Sequence, residues 1–345
     1  MSQPKTSHGT VIVTGGAGYI GSHTCKALAA RGYVPVTYDN LSIGNRWAVR
    51  WGPLEQGDIL DASRLHNVFK DHRPIGVLHF AALALVGESM QVPELYYRTN
   101  VTGAQNVLDA CRIHDVPAFV FSSTCAVYGM PDQVPIGEQT PTAPINPYGA
   151  SKLMVERILD DYAMAHGLRH MSLRYFNAAG ADPDAEIGET REVETHLVPL
   201  ALDAILGRRP PLRIFGDDYP TPDGTAIRDY IHVSDLADAH VKALDLLLEG
   251  GASRKINLGT GRGYSVRQVL DAAAEVAGRT VPHEIAPRRP GDPAELVADP
   301  RVARALFGHD LMQRSDLACI IQTAWAWHAR EARGVRASGE KTMRQ

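Results

Sequence analysis

TVIVTGGAGYIG, residues Thr10 to Gly21, is the stretch on which the reading of the fold turns. Val11, Ile12 and Val13 are a β-branched run suited to a buried parallel strand, and Gly15, Gly16, Gly18 and Gly21 interrupt it before Ser22 opens a helical pattern. Strand, glycine turn and helix in that order offer free N–H groups and the positive end of a helix to a pyrophosphate. The glycines fit both GxGxxG and GxxGxxG. A second strand, Val34 to Tyr38, ends in Asp39, which lies 18 residues past Gly21. An acidic group there accepts hydrogen bonds from ribose hydroxyls and repels a 2′-phosphate, so the expected cofactor is NAD and not NADP.

From that start, short apolar runs alternate with helical stretches: Val11–Val13, Val34–Tyr38, Val77–Phe80, Phe119–Phe121 and Met171–Leu173 read as strands. Such alternation predicts an α/β fold with a Rossmann-type doubly wound parallel sheet over residues 1–175. The 345 residues, 44% hydrophobic and 21% charged, are enough for one large or two modest domains. A net charge of −4 gives no electrostatic reason to expect a nucleic-acid or anionic membrane partner. There is no apolar run of about 18 residues, and Met1 to Gly9 is polar, so neither a membrane span nor a signal peptide is expected. Cys25, Cys111, Cys125 and Cys319 lack CxxC spacing, which suggests reduced thiols, a cytoplasmic location and no metal site.

Three further segments point at chemistry. Phe121–Gly129, FSSTCAVYG, sets Ser122, Ser123 and Thr124 at a strand's C-terminal end, where open α/β sheets bind ligands. Tyr148 and Lys152 are four apart, so on a helix they project from one face. An ammonium beside a phenol favours phenolate, and the expectation is that Lys152 lowers the Tyr148 pKa toward neutrality. Of the twelve tyrosines only Tyr148 has lysine four residues on. Asp58, after Gly57, reads either as a strand-end side chain reaching an adenine or as an N-cap for a helix beginning near Ala62. His79 opens HFAA, residues 79–82, and reads as a packed strand residue outside the chemistry.

Taken together, TGGAGYIGSH (Thr14–His23), YDNLS (Tyr38–Ser42), GDI (Gly57–Ile59), VGES (Val86–Ser89), YGASKLMVE (Tyr148–Glu156), LRYFNAAGA (Leu173–Ala181) and IRDYIHVSDLADAH (Ile227–His240) resemble the extended short-chain dehydrogenase/reductase superfamily. Within it the chain is most similar to the UDP-glucose 4-epimerases, from Thr10 to about Trp327. The resemblance implies a retained NAD that takes a hydride from C4 of a UDP-sugar and returns it to the other face of the 4-keto sugar. It implies that Tyr148 deprotonates the C4 hydroxyl, that Lys152 holds the nicotinamide ribose and that Thr124 binds O4. Gly15, Gly18, Tyr19, Ile20, Gly21, Asp39, Asn40, Asp58, Ile59, Phe80, Ala81, Ala82, Thr99, Asn100, Tyr175 and Phe176 are the implied remainder of the cofactor site. For the UDP-sugar the resemblance implies Asn177, His196, Leu197, Arg213, Ile214, Phe215, Arg228, Arg289, Asp292 and Leu296, with both arginines on the pyrophosphate and Asp292 on a ribose hydroxyl. The matching architecture is a smaller C-terminal α/β substrate lobe over residues 176–333. A segment near residues 228–262 returns to the first domain, residues 334–345 form a flexible tail, and the assembly is a homodimer.

The chain departs from that pattern at three points: His196 replaces an asparagine, Ala84 replaces a lysine, and Leu296 stands where a tyrosine narrows the pocket of glucose-restricted members. A UDP-xylose/UDP-arabinose or UDP-GlcNAc/UDP-GalNAc pair therefore stays open beside UDP-glucose/UDP-galactose. A sugar-nucleotide 4,6-dehydratase needs an added acid/base pair after the Ser/Thr, but Thr124 is followed by Cys125 and Ala126. A non-catalytic NAD-binding protein has no need of Tyr148, Lys152 and Thr124 together.

Overall fold

The computed structural model describes residues 8–342 except residue 290, with side chains through Arg330. The chain divides into two compact units: residues 1–175, 236–258 and 299–311 form the first, and residues 176–235, 259–298 and 312–345 form the second.

The first unit is built on a seven-stranded sheet of β1 (Thr10–Thr14), β2 (Val34–Asp39), β3 (Leu54–Gln56), β4 (Gly76–His79), β5 (Ala118–Thr124), β6 (Arg169–Tyr175) and β10 (Arg254–Leu258). Their order is β10-β6-β5-β4-β1-β2-β3, and every pairing is parallel. The five expected strands are present, four of them extended by one to four residues and the remaining one, Val77–Phe80, shifted by one to Gly76–His79; β3 and β10 are additional. The order reverses between β1 and β4, and beyond the carboxyl ends of strands at such a switch point lies the ligand crevice of open α/β sheets.

Alternation along each strand assigns side chains to two faces. Ile12, Val36, Val77, Phe119 and Phe121 pack with Leu65, Phe69, Val107, Leu108, Val155 and Leu159 of the helices Ala62–His72, Gly103–Ile113 and Pro147–His166. On the other face a Cβ on Gly76 would meet Leu244 of the helix Val233–Leu248 at 2.6 Å, so that helix lies directly on the strand. The helix Pro147–His166 starts with proline at its first turn, and the Asn146 side chain accepts a hydrogen bond from Gly149 N at 2.8 Å. It ends at Gly167, whose φ of +71° suits glycine.

The second unit carries more strand than the sequence suggests, in pieces of two to six residues. β7 (Asn177–Ala179), β9 (Ile227–His232), β11 (Gly263–Ser265) and β13 (Glu295–Leu296) form one sheet, while β8 (Leu212–Phe215) pairs with β12 (His283–Ala286). Leu202, Ile214, Tyr230, Val269, Ile320 and Ile321 form its core, drawing on the helices Leu197–Ile205, Val266–Ala277 and Leu317–Thr342. The last of these helices runs on through Thr342. The expected tail over residues 334–345 is therefore helical to that point, and residues 343–345 lie outside the described residues.

Candidate active site

At the end of β1 the chain turns through Gly15, whose φ is +73°. A Cβ there would lie 2.6 Å from Ala81 N, and one on Gly21 would lie 2.2 Å from Gly15 O. Both positions therefore require glycine to keep the turn folded against β4 and the first helical turn. Gly18 is the N-cap of the helix Tyr19–Ala30 and supplies no side-chain cap, and the positive end of that helix favours an anion. Ala17 N donates to Asp39 Oδ2 at 3.0 Å and Leu41 N to Oδ1 at 2.8 Å, which ties the end of β2 to the glycine turn. Burial raises the Asp39 pKa, and those two hydrogen bonds oppose the rise. Each carboxylate oxygen keeps a lone pair for a ribose hydroxyl. A dinucleotide fits this cradle.

Around it the expected cofactor residues divide. Tyr19 and Ile20 form the first helical turn, and Ala81 N donates to Thr14 O at 3.0 Å, holding Ala81 and the half-buried Ala82 beside the glycine turn. The Phe80 ring lies 4.7 Å from that of His240. Asn40 donates to Asp58 Oδ2 at 2.9 Å, and Asp58 Oδ1 accepts from Leu60 N at 2.8 Å. Asp61, not Asp58, caps the helix Ala62–His72, so the capping alternative for Asp58 is overturned. Ile59 points into the core, where a Cβ on Gly103 would strike its Cδ1 at 2.4 Å. Thr99 is half-buried within a π-helical turn, Tyr97–Thr102. The buried Asn100 clamps Leu83, accepting from its N at 2.8 Å and donating to its O at 3.0 Å, and also donates to Ser151. His79 is 1% exposed, bonds Thr14 Oγ1 at 2.7 Å and is pushed down to about 3 by burial and then by Lys152, so it is a neutral packed group.

Tyr148 and Lys152 lie one turn apart on the helix Pro147–His166. Lys152 is 3% exposed; its Nζ donates to Ser122 O at 2.9 Å and sits 4.9 Å from the Phe121 ring centre. A protonated amine carries three donors, which matches a ribose diol beside one backbone carbonyl. Burial pushes its pKa down to about 7. The Tyr148 phenol is pushed up by burial and next by the neighbouring Tyr175 phenol, while the Thr124 hydroxyl opposes the rise. This corrects the expectation of a lowered Tyr148 pKa: burial dominates both groups, raising the phenol and lowering the ammonium. Thr124 Oγ1 accepts from Ala126 N at 3.1 Å, which aims its own O–H away from that turn. Tyr175 Oη bonds Ser122 Oγ at 2.5 Å. Phe176, first residue of the second unit, is buried.

In the second unit Asn177 on β7 donates to Asp229 O at 3.2 Å. His196 precedes the helix beginning at Leu197, and its Nδ1 bonds Glu189 Oε1 at 2.7 Å. Desolvation works against protonating His196, but Glu189 outweighs it and its pKa is raised. The imidazole is thereby anchored to a carboxylate through Nδ1, while its side chain stays 44% exposed. Arg213 is exposed on β8 near Glu284, Ile214 is 2% exposed in the core, and the Arg289 guanidinium stacks on Phe215 at 3.9 Å from the ring centre. Arg228 on β9 pairs with Asp292 and also donates to Ile227 O at 2.7 Å. Leu296 on β13 is half-buried in register with Arg228.

The sequence marks Ser122 and Ser123 only as strand-end hydroxyls; the structure gives them partners, Ser122 engaging Lys152 and Tyr175 through its carbonyl and hydroxyl, and Ser123 joining a buried group with Glu156, Arg174, Tyr128 and Asn257 that the sequence does not announce. Glu156 extends the 148, 152 spacing by one more turn, which was the available signal.

Known proteins resemble this chain over nearly its whole length. A UDP-glucose 4-epimerase of Rhizobium meliloti (strain 1021) is 54% identical over 324 residues, covering 94% of this chain and 98% of that protein. The crystal structure of UDP-glucose 4-epimerase from Brucella ovis in complex with NAD superimposes with a TM-score of 0.90 at 53% identity, covering 92% of this chain and 98% of the other. A UDP-glucose 4-epimerase from Stenotrophomonas maltophila, with bound NAD and formylated UDP-arabinopyranose, gives 0.91 at 40% identity, with 95% of this chain and all of that one covered. Residues 11–259 match the family model, and with the glycine cradle, Asp39 and the Tyr148–Lys152 pair in place the chain belongs to the NAD-dependent epimerase/dehydratase family.

Proposed function

We propose that the protein is an NAD-dependent UDP-glucose 4-epimerase that interconverts UDP-glucose and UDP-galactose. The observation that carries this reading is the buried Lys152 one turn from Tyr148, in the same unit as the glycine cradle and Asp39. When bound, NAD supplies reversible two-electron oxidation at the sugar C4 and, in its oxidised form, a positive ring charge that favours phenolate at Tyr148. Tyr148 Oη takes the proton of the C4 hydroxyl and gives one back. Thr124 Oγ1 fixes the position of O4, and Lys152 Nζ, anchored on Ser122 O, would hold a ribose of the cofactor. Arg228 and Arg289 neutralise the pyrophosphate, and Asp292 accepts from the uridine ribose.

The test is turnover of purified protein with UDP-galactose and no added cofactor. Conversion is expected, and Tyr148→Phe lowers it by about 10²–10⁴-fold with the fold unchanged. No conversion even with NAD supplied overturns the reading.

The same reading makes the enzyme a cytoplasmic homodimer. Its four cysteines are free, and among the described residues no helix is long and apolar enough to cross a membrane. Leu95 and Met154 are 43% and 46% exposed, and Tyr97, Arg98, Val101, Thr102 and Met154 line one concavity, an apolar surface suited to a second copy.

A further inference from the structure

Glu156 is fully buried on the helix that carries Tyr148 and Lys152, one turn past the lysine. Its Oε1 accepts from Ser123 Oγ at 2.6 Å and from Arg174 Nε at 2.8 Å, and its Oε2 accepts from Arg174 Nη2 at 2.5 Å. Arg174, 3% exposed, donates through Nη1 to Tyr128 Oη at 2.8 Å, and that phenol donates to Asn257 Oδ1 at 2.7 Å. Asn257 in turn donates through its side chain to Ile136 O at 2.9 Å and through its backbone N–H to Glu138 Oε1 at 2.9 Å.

The strand register gives this group its meaning. Ser123, Arg174 and Asn257 stand side by side on β5, β6 and β10, and the next row along the first two strands is Thr124 and Tyr175. Three members of the network are thus joined to a residue of the proposed site: Ser123 to Thr124, Arg174 to Tyr175, and Glu156 to Lys152 by one helical turn. A buried ion pair is a poor source of stability, because desolvation offsets its attraction and a matched apolar pair is often as stable. What the forked guanidinium does supply is direction, with two hydrogen bonds to one carboxylate and a third to Tyr128.

We propose that Glu156 and Arg174 are positioning residues for the epimerase reaction, locking the strand ends that carry Thr124 and Tyr175 to the helix face that carries Tyr148 and Lys152. The proposal rests on the functional reading above and adds residues that touch neither cofactor nor sugar.

The experiment compares wild type, the double variant Glu156→Met with Arg174→Met, and Ser123→Ala, which deletes only the hydroxyl link. The readouts are Tm, co-purified NAD, and KM and kcat with UDP-galactose. The double variant keeps native Tm and NAD content with nearly native KM, while kcat falls at least about tenfold, since misplacement of reacting groups by about 1 Å costs on the order of 100-fold. Ser123→Ala loses kcat in the same sense but less, and it carries the test if the double variant does not fold. Native kcat in Ser123→Ala and in a folded double variant overturns the proposal. Loss of kcat only in proportion to lost NAD or lost folded protein also overturns it, since the pair is then merely structural. An inactive wild type overturns the functional reading instead.

Discussion

Arg228 and Asp292, the cation expected on the pyrophosphate and the carboxylate expected on the ribose, are paired with each other. Their side chains are 15% and 28% exposed, so the pair is partly shielded from solvent. A pyrophosphate approaching Arg228 meets a carboxylate already paired with that cation, whose negative charge opposes it.

Asp292→Asn is therefore expected to bind inorganic pyrophosphate more tightly than wild type, by about fivefold, the worth of a partly exposed ion pair near 1 kcal/mol. Uridine affinity moves the other way. Titration calorimetry with the two ligands separately checks both signs, and unchanged pyrophosphate affinity rules out the competition.

Lys152 predicts a trade between stability and activity in the NAD-free protein. Its pKa falls from 10.5 to about 7 on burial, so between those values the unfolded chain binds the additional proton. Stability contributed at this site therefore rises with pH across that window, and below about 7 the full cost of a buried cation is present. Lys152→Met is expected to melt above wild type near pH 7, with the gap closing toward pH 10, while turnover is lost. Paired thermal melts from pH 6 to 10 check the slope; a gap that widens with pH contradicts it.

The glycine turn predicts a ranking. A Cβ on Gly21 meets Gly15 O at 2.2 Å, whereas one on Gly18 meets the same oxygen at 3.2 Å. Gly21→Ala should cost about 1–3 kcal/mol as an overpacked site and lose co-purified NAD. Gly18→Ala should be milder in both. Denaturant midpoints and the absorbance of released NAD order the two variants.

Leu296 concerns the sugar. It is half-buried on β13 beside Arg228, and a tyrosine there adds a ring's volume. Leu296→Tyr is expected to lower kcat/KM for UDP-GlcNAc relative to UDP-glucose, by competition assays on mixed substrates. An unchanged ratio removes Leu296 from the selectivity argument.

The first unit was legible because its signals are local. Val11–Val13 running into Gly15 is complete within a dozen residues, and the 148, 152 spacing needs only the helix period. β3 was not, since Leu54–Gln56 is three residues of largely polar sequence. β10 was not, because RKINL becomes a strand through pairing with β6, far back in the chain. The pKa of Tyr148 could not be read from spacing either, because it is decided by how deeply the pair is buried. His196 shows the same dependence: only the structure reveals Glu189 as its partner.

β10 has a consequence for how the protein is made. A chain is synthesised from its N-terminus, and domains tend to fold as they emerge. The edge of β6 is complete at Tyr175, yet its neighbour spans Arg254–Leu258 and Asn257 comes with it. Until then the nascent protein presents an open strand edge, an invitation to wrong pairing. The ribosome thus releases the Asn257 tether of Tyr128 only after most of the chain is out, and a polypeptide cut short before Arg254 carries Tyr148 and Lys152 on a sheet one strand short, with β6 at its edge.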